Sequence, residues 1–179
     1  SDLTITNVLA NTTRIGFFSV LENMGADIEW NNMRKEGGEW VGDVHIFSQP
    51  LNGLHIMKDL IPTVIDEIPI IAVLATQADS PTIIEGAAEL RVKESDRIKA
   101  ICQNLQSMGA EIIEKQDGFI INPVTKLHHT NIETFGDHRI AMAFTIAGLL
   151  PSEKNHLDDE NCINISFPEF SDILSQICQ

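Results

Sequence analysis

Two stretches of this chain are apolar on every side of a helix, and they limit its fold more than any other feature. Asp66-Glu67 precedes the run Ile68–Ala75, and Asp137-His138-Arg139 precedes the run Ile140–Leu150. Each begins with an Asp able to cap a helix and then stays almost wholly apolar for about three turns. A rod with no polar face has to be buried on all sides, so the other elements must wrap around two such helices. Both runs are too short to span a bilayer. A chain of 179 residues can supply the cover, since a globular chain of this size buries about 70% of its unfolded surface.

The cover is repetitive. Leu21-Glu22-Asn23-Met24-Gly25-Ala26-Asp27-Ile28 recurs as Leu105-Gln106-Ser107-Met108-Gly109-Ala110-Glu111-Ile112. In both copies apolar residues at helical spacing come first, Ile15, Phe18 and Leu21 in one and Ile98, Ile101, Leu105 and Met108 in the other. Each helix then stops at a glycine, which takes the position after the helix without a Cβ penalty. A strand and a hairpin follow, turning at Gly37-Gly38 and at Asp117-Gly118. The expected organisation is a strand–helix–hairpin–helix unit present twice, over about residues 1–80 and 81–166, opening with strands at Leu3–Thr6 and Thr82–Ile84. A last strand near Ile163–Ser166 and a terminal amphipathic helix close the chain. The class expected is α/β (α+β), as one domain over residues 1–179.

Charge narrows the function classes. The chain carries 26 acidic and 12 basic side chains, a net charge of −14, which repels nucleic acid and anionic membranes. Ser1-Asp2-Leu3 has no basic n-region of a signal peptide, and a start at Ser1 rather than Met leads us to expect a piece of a longer protein. Cys102, Cys162 and Cys178 are odd in number and far apart, as expected in a reducing cytoplasm. No CxxC, HExxH, Walker loop or nucleophile elbow is present, and a zinc site is not expected. His128-His129 reads as a solvated loop pair.

Against this acidity, four of the 12 basic residues fall in Arg91-Val92-Lys93-Glu94-Ser95-Asp96-Arg97-Ile98-Lys99. With Ser95 as N-cap, Lys93, Glu94 and Arg97 cluster at a helix N-terminus, where free N–H groups and the dipole favour an anion. A solvated, salt-bridged helix start explains the cluster equally well. Asp137-His138-Arg139 is harder to set aside, because three ionisable groups open an apolar helix and need a partner or a ligand. The Arg139 fork suits a carboxylate or phosphate, or an acid of the chain's own surface. Asp66, taken alone, reads as a helix cap.

Leu90-Arg91-Val92-Lys93-Glu94-Ser95-Asp96-Arg97-Ile98 resembles a signature of the 5-enolpyruvylshikimate-3-phosphate (EPSP) synthases. Gly136-Asp137-His138-Arg139-Ile140-Ala141-Met142 resembles another, Ile65-Asp66-Glu67-Ile68-Pro69 the segment with the family's catalytic aspartate, and Ser166-Phe167-Pro168-Glu169-Phe170 its closing segment. The likeness runs along essentially the whole chain but matches only the C-terminal portion of a two-domain enzyme, each of whose domains is built from three βαβαββ units. It implies transfer of the enolpyruvyl group of phosphoenolpyruvate to the 5-hydroxyl of shikimate 3-phosphate, with release of phosphate and without metal or organic cofactor. The missing N-terminal part of the enzyme would be the other partner.

By the same resemblance, Asp66 holds the shikimate hydroxyls and is a candidate base, and Lys93 contacts the same substrate. Glu94 moves a proton to and from the phosphoenolpyruvate methylene, Arg97 and Arg139 grip its carboxylate, and His138 stands at an active-site histidine. Two departures stand out. Ile165 lies where many members have a phosphate-contacting lysine, and Glu89 where some have an asparagine. A sister enolpyruvyl transferase acting on UDP-N-acetylglucosamine lacks the Lys-Glu-Ser-Asp-Arg pattern, whereas a non-catalytic anion-binding module would not need Asp66 and Glu94 together. An enzyme requires Asp66, Lys93, Glu94, Arg97, His138 and Arg139 to meet on one face.

Overall fold

The computed structural model describes residues 2–124, 126–151 and 153–178. The chain opens with β1 (Asp2–Leu9), α1 (Gly16–Asn23) and the long hairpin β2 (Asp27–Glu36) and β3 (Glu39–Phe47). These strands form an antiparallel sheet in the order β1-β3-β2. β1 is longer than the expected Leu3–Thr6. It continues through a bulge at Asn7, whose φ of 59° is left-handed. β2 bulges opposite the same part of β3, with Asn32 at φ 53°. One side chain of the central strand holds both: Asp43 accepts from the Asn7 backbone N–H at 3.0 Å and the Asn32 amide at 2.7 Å. Those bonds, the Asn32 amide first, keep the Asp43 carboxyl below its ordinary pKa.

The next run is β4 (His55–Ile56), α2 (Ile61–Val64), α3 (Ile68–Ala75), β5 (Thr82–Ile84), a 3-10 turn (Ala88–Val92), α4 (Arg97–Ser107), β6 (Glu111–Lys115) and β7 (Gly118–Asn122). Its sheet has the order β4-β5-β7-β6, with β4 and β5 parallel and β7 antiparallel to both neighbours. A third, two-stranded parallel sheet pairs β8 (Asn131–Ile132) with β9 (His156–Leu157) across α5 (His138–Ala147). The helical stops are as expected, at Gly25 (φ 96°) and Gly109 (φ 87°), and the first hairpin turns at Gly37-Gly38. The second turns one residue earlier than expected, at Gln116-Asp117, and Gly118 opens β7 as the partner of Lys115. Glycine is needed there because a Cβ would run into the Ile84 carbonyl of β5.

Two further expectations are corrected. Ile163–Ser166 is not a strand: Asn161–Ile165 forms a 3-10 turn, with Cys162 and Ile163 packed against Ala141 and Phe170. The second apolar helix ends at Ala147, and Leu149 and Leu150 beyond it are about half exposed. The terminal helix α6 (Phe170–Ile177) is present and buries only Phe170.

The core explains the placement of the site. In α3, six of eight residues are buried, as its composition requires. α4 turns Ile98, Ile101 and Leu105 inward at helical spacing. α3, α4 and α5 pack against one another, and β7 adds Phe119 and Ile121 from its inner face. Burial within this core pushes the Cys102 thiol up to about 12. Phe119 is fully buried, and its replacement by Ala should cost about 3–5 kcal/mol, the range for deleting a buried aromatic ring. Urea unfolding measures this, and a loss below about 1 kcal/mol would show that β7 is not part of the core.

Candidate active site

Where the N-terminal ends of α3, α4 and α5 meet, seven charged side chains form one network. Its centre is Arg97, the first residue of α4, whose side chain is 1% exposed. Its Nε donates to Asp137 Oδ2 at 2.8 Å, and Nη2 reaches Asp137 Oδ1 at 3.4 Å. Nη1 donates to Asp66 Oδ1 at 3.2 Å and Nη2 to Glu94 Oε2 at 2.5 Å. Asp137, fully buried, also accepts from the Ser95 hydroxyl at 3.0 Å and from the backbone N–H of Arg139 at 2.9 Å. One carboxylate thus orients an arginine of α4 and caps α5 at the same time.

Asp66 is the second junction. Arg139 donates through Nη1 to the Asp66 carbonyl at 3.1 Å, lies 3.4 Å from its carboxylate through Nη2, and stands 3.7 Å from Glu67. Arg14, just before α1, places Nη1 3.9 Å from Asp66 Oδ2. Together Arg14, Arg97 and Arg139 face Asp66, Glu67, Glu94 and Asp137, so the network carries one more negative than positive charge. Beside Asp66 and Arg139, a crevice of about 190 Å³ runs between α3 and α5, floored by Ile70, Met142 and Ala143 and flanked by Phe167.

Burial shapes the electrostatics. Desolvation lowers the pKa of the Arg97 guanidinium, but its bond to Asp137, the charges of Asp137 and Glu94 and its bond to Asp66 outweigh that and hold it above the ordinary arginine value. Desolvation likewise raises the pKa of Asp137, yet the Arg97 bond and charge, the Arg139 N–H and the Ser95 hydroxyl keep it below the ordinary carboxylate value. The pair is therefore an ion pair. An arrangement of this kind can orient carboxylate and phosphate oxygens and hold carboxylates where a proton is to move.

Of the residues singled out from the sequence, Asp66, Glu94, Arg97 and Arg139 lie in this network. Lys93 is exposed and His138 half-buried, and neither makes a hydrogen bond or ion pair among the described residues. Two cap assignments change. Asp96, not Ser95, caps α4 by accepting from the Lys99 N–H at 3.0 Å. Ser95 is free for Asp137. Asp66 caps nothing, since Glu67 holds the position before α3 and makes no side-chain cap there. In the sequence Asp137 stands out as a cap and as one of three charges in need of a partner, but not as the counter-ion of Arg97, and Arg14 and Glu67 do not stand out. The signal for Asp137 was its place in an apolar helix beside a basic residue. For Arg14 there was none.

The architecture recurs in the enolpyruvyl transferase NikO of Streptomyces tendae, with a TM-score of 0.73 at 16% identity, over 98% of this chain and 38% of that one. That likeness defines the fold as the enolpyruvyl transferase fold. The chain belongs to the EPSP synthase (3-phosphoshikimate 1-carboxyvinyltransferase) family, whose model matches residues 1–174. It is 47% identical over 178 residues to the 3-phosphoshikimate 1-carboxyvinyltransferase of Thermodesulfovibrio yellowstonii, covering 99% of this chain and 41% of the relative. An EPSP synthase structure from Acinetobacter baumannii superposes with a TM-score of 0.93 at 38% identity, over 98% of this chain and 41% of that one. The chain thus spans about 41% of the length of the relatives it matches.

Asp137→Asn tests the network's centre. It leaves Arg97 buried without its main counter-charge and should cost about 3–5 kcal/mol at neutral pH, the scale for breaking a buried pair. Because the folded pKa of Asp137 is depressed, its stabilisation is present above the unfolded value of about 3.9 and is lost as pH falls through the lower folded value. Urea unfolding over a pH series should show a shallower acid loss in Asp137→Asn than in the parent chain. Equal slopes would mean that another carboxylate carries the pH dependence.

Proposed function

We propose that the complete protein is a cytoplasmic enzyme that transfers the enolpyruvyl group of phosphoenolpyruvate to the 5-hydroxyl of shikimate 3-phosphate, and that this chain supplies one part of its site. The observation supporting this is the single network formed by Asp66, Glu94, Arg97 and Arg139, drawn from three separate motifs. In the first step the 5-hydroxyl oxygen bonds to C2 of phosphoenolpyruvate while C3 accepts a proton, and the hydroxyl proton passes to a base. In the second step the C2–O bond to phosphate breaks and C3 returns its proton, leaving the new enol ether and inorganic phosphate. Asp66 is proposed as the holder of the hydroxyls and the base, and Glu94 as the group that moves the C3 proton. Lys93 and His138 are proposed to contact substrate from the rim.

The arginines must first change partners. Four contacts to internal carboxylates already engage Arg97, so a substrate carboxylate reaches its Nη1–Nη2 edge only by displacing Glu94 or Asp66. Asp137 meanwhile keeps Nε in place. The exchange trades one carboxylate for another at a pre-oriented fork, which limits the reorganisation needed on binding.

A phosphate-release assay with phosphoenolpyruvate and shikimate 3-phosphate tests the reading. The complete protein should turn over, whereas the 179-residue chain should not, because the cations and closure of the remaining part are absent. No turnover by the complete protein would overturn the proposal. Within the complete protein, Arg139→Lys keeps charge but loses the fork and should weaken phosphoenolpyruvate binding by about 1.5–3 kcal/mol. Calorimetric titration giving parental affinity would remove Arg139 from the carboxylate site.

A further inference from the structure

Arg14 belongs to none of the motifs, yet it stands at the same Asp66 carboxylate oxygen as Arg139. Its place is built rather than incidental. Asn11 folds the preceding turn, accepting through its side chain from the Thr13 N–H at 2.9 Å and the Thr13 hydroxyl at 2.7 Å. The Asn11 carbonyl accepts from the N–H groups of Arg14 at 2.8 Å and Ile15 at 3.1 Å, and Ala10 N–H ties the turn to the Trp40 carbonyl at 2.8 Å. On the other side, Gly16 lies so close to α2 that a Cβ there would sit 2.7 Å from the Thr63 carbonyl. α2 ends at Val64, and Ile65 leads directly into Asp66. One tight joint therefore holds the backbone of Arg14 beside Asp66.

The three guanidiniums of the network differ in what they have left to offer. Arg97 is buried and spends its donors on three carboxylates. Arg139 is engaged by the Asp66 carbonyl, with Asp66 and Glu67 carboxylates nearby. Arg14 makes no side-chain hydrogen bond among the described residues, its side chain is 60% exposed, and 3.9 Å is too long for an N–H···O bond to Asp66. Arg14 is thus the guanidinium of this network that can receive a dianion without first giving up an internal hydrogen bond. A guanidinium with five unspent N–H donors, carried on a backbone held by that joint, suits the oxygens of a phosphate monoester.

Resting on the function proposed above, we propose that Arg14 contacts the phosphate monoester of a bound substrate. Both proposed substrates carry that group, and the test separates them. Calorimetric titrations of the complete protein and its Arg14→Gln and Arg14→Lys variants would use phosphoenolpyruvate and shikimate 3-phosphate, with shikimate as the counterpart lacking phosphate. Arg14→Gln should bind one of the two monoesters at least tenfold more weakly and shikimate unchanged, and Arg14→Lys should recover part of the loss. The ligand that weakens names the phosphate that Arg14 meets. Parental affinity for both monoesters in Arg14→Gln and Arg14→Lys, or a loss for shikimate equal to that for shikimate 3-phosphate, would overturn the role of Arg14. If the parent protein turns over while the variants bind like it, only this inference falls. Absence of turnover in the parent refutes the function itself.

Discussion

The buried pair of Arg97 and Asp137 is the contact from which the rest of the site follows. Neither side chain reaches water to any useful extent, and an unpaired charge at that depth would be too costly to keep. Each therefore obliges the other to be present. Arg97 opens α4 and Asp137 caps α5, so meeting the electrostatic requirement also fixes how the two helix starts are spaced. Asp66, at the third start, closes the triangle through Arg97 Nη1. Apolar packing among α3, α4 and α5 brings the helices together, and this pair decides which ends face one another.

Much of that is legible from the residues alone, for a physical reason. A helix apolar on every side needs no context to be recognised, and α3 occupies Ile68–Ala75 as expected. Glycine after a helix and Gly-Gly in a hairpin are local choices about φ, so Gly25, Gly109 and Gly37-Gly38 fall where they were expected. Features set by distant partners escape. β1 passes Asn7 only because Asp43, 36 residues on, holds the bulge. The alternating pattern of Ile163–Ser166 reads as a strand, yet Cys162 and Ile163 are drawn into a turn by Ala141 and Phe170.

The site divides along the same line. Asp66, Glu94, Arg97 and Arg139 stand in dense local motifs and announce themselves. Ser95 and Asp96 are equally good caps by type, and the choice between them is made by Asp137, 42 residues from Ser95, which takes the serine hydroxyl. Arg14 is set by a turn and by the contact of Gly16 with Thr63, neither of which leaves a mark in a motif. Residues that act through a fold-specific joint carry no spacing to read.

Under the proposed function, charge then indicates what has to come from outside these residues. The chain is strongly acidic, at −14, and the network itself has more carboxylates than guanidiniums. Under the proposed reaction two substrates with several negative charges enter this region together. At long range the chain's own field opposes their approach, and at the open edge of the site the exposed Arg14 is screened by solvent. Internal carboxylates solve the problem of storing buried arginines without a ligand, but they do so by neutralising the attraction a ligand would feel. Net positive charge and exclusion of water must therefore come from outside these residues.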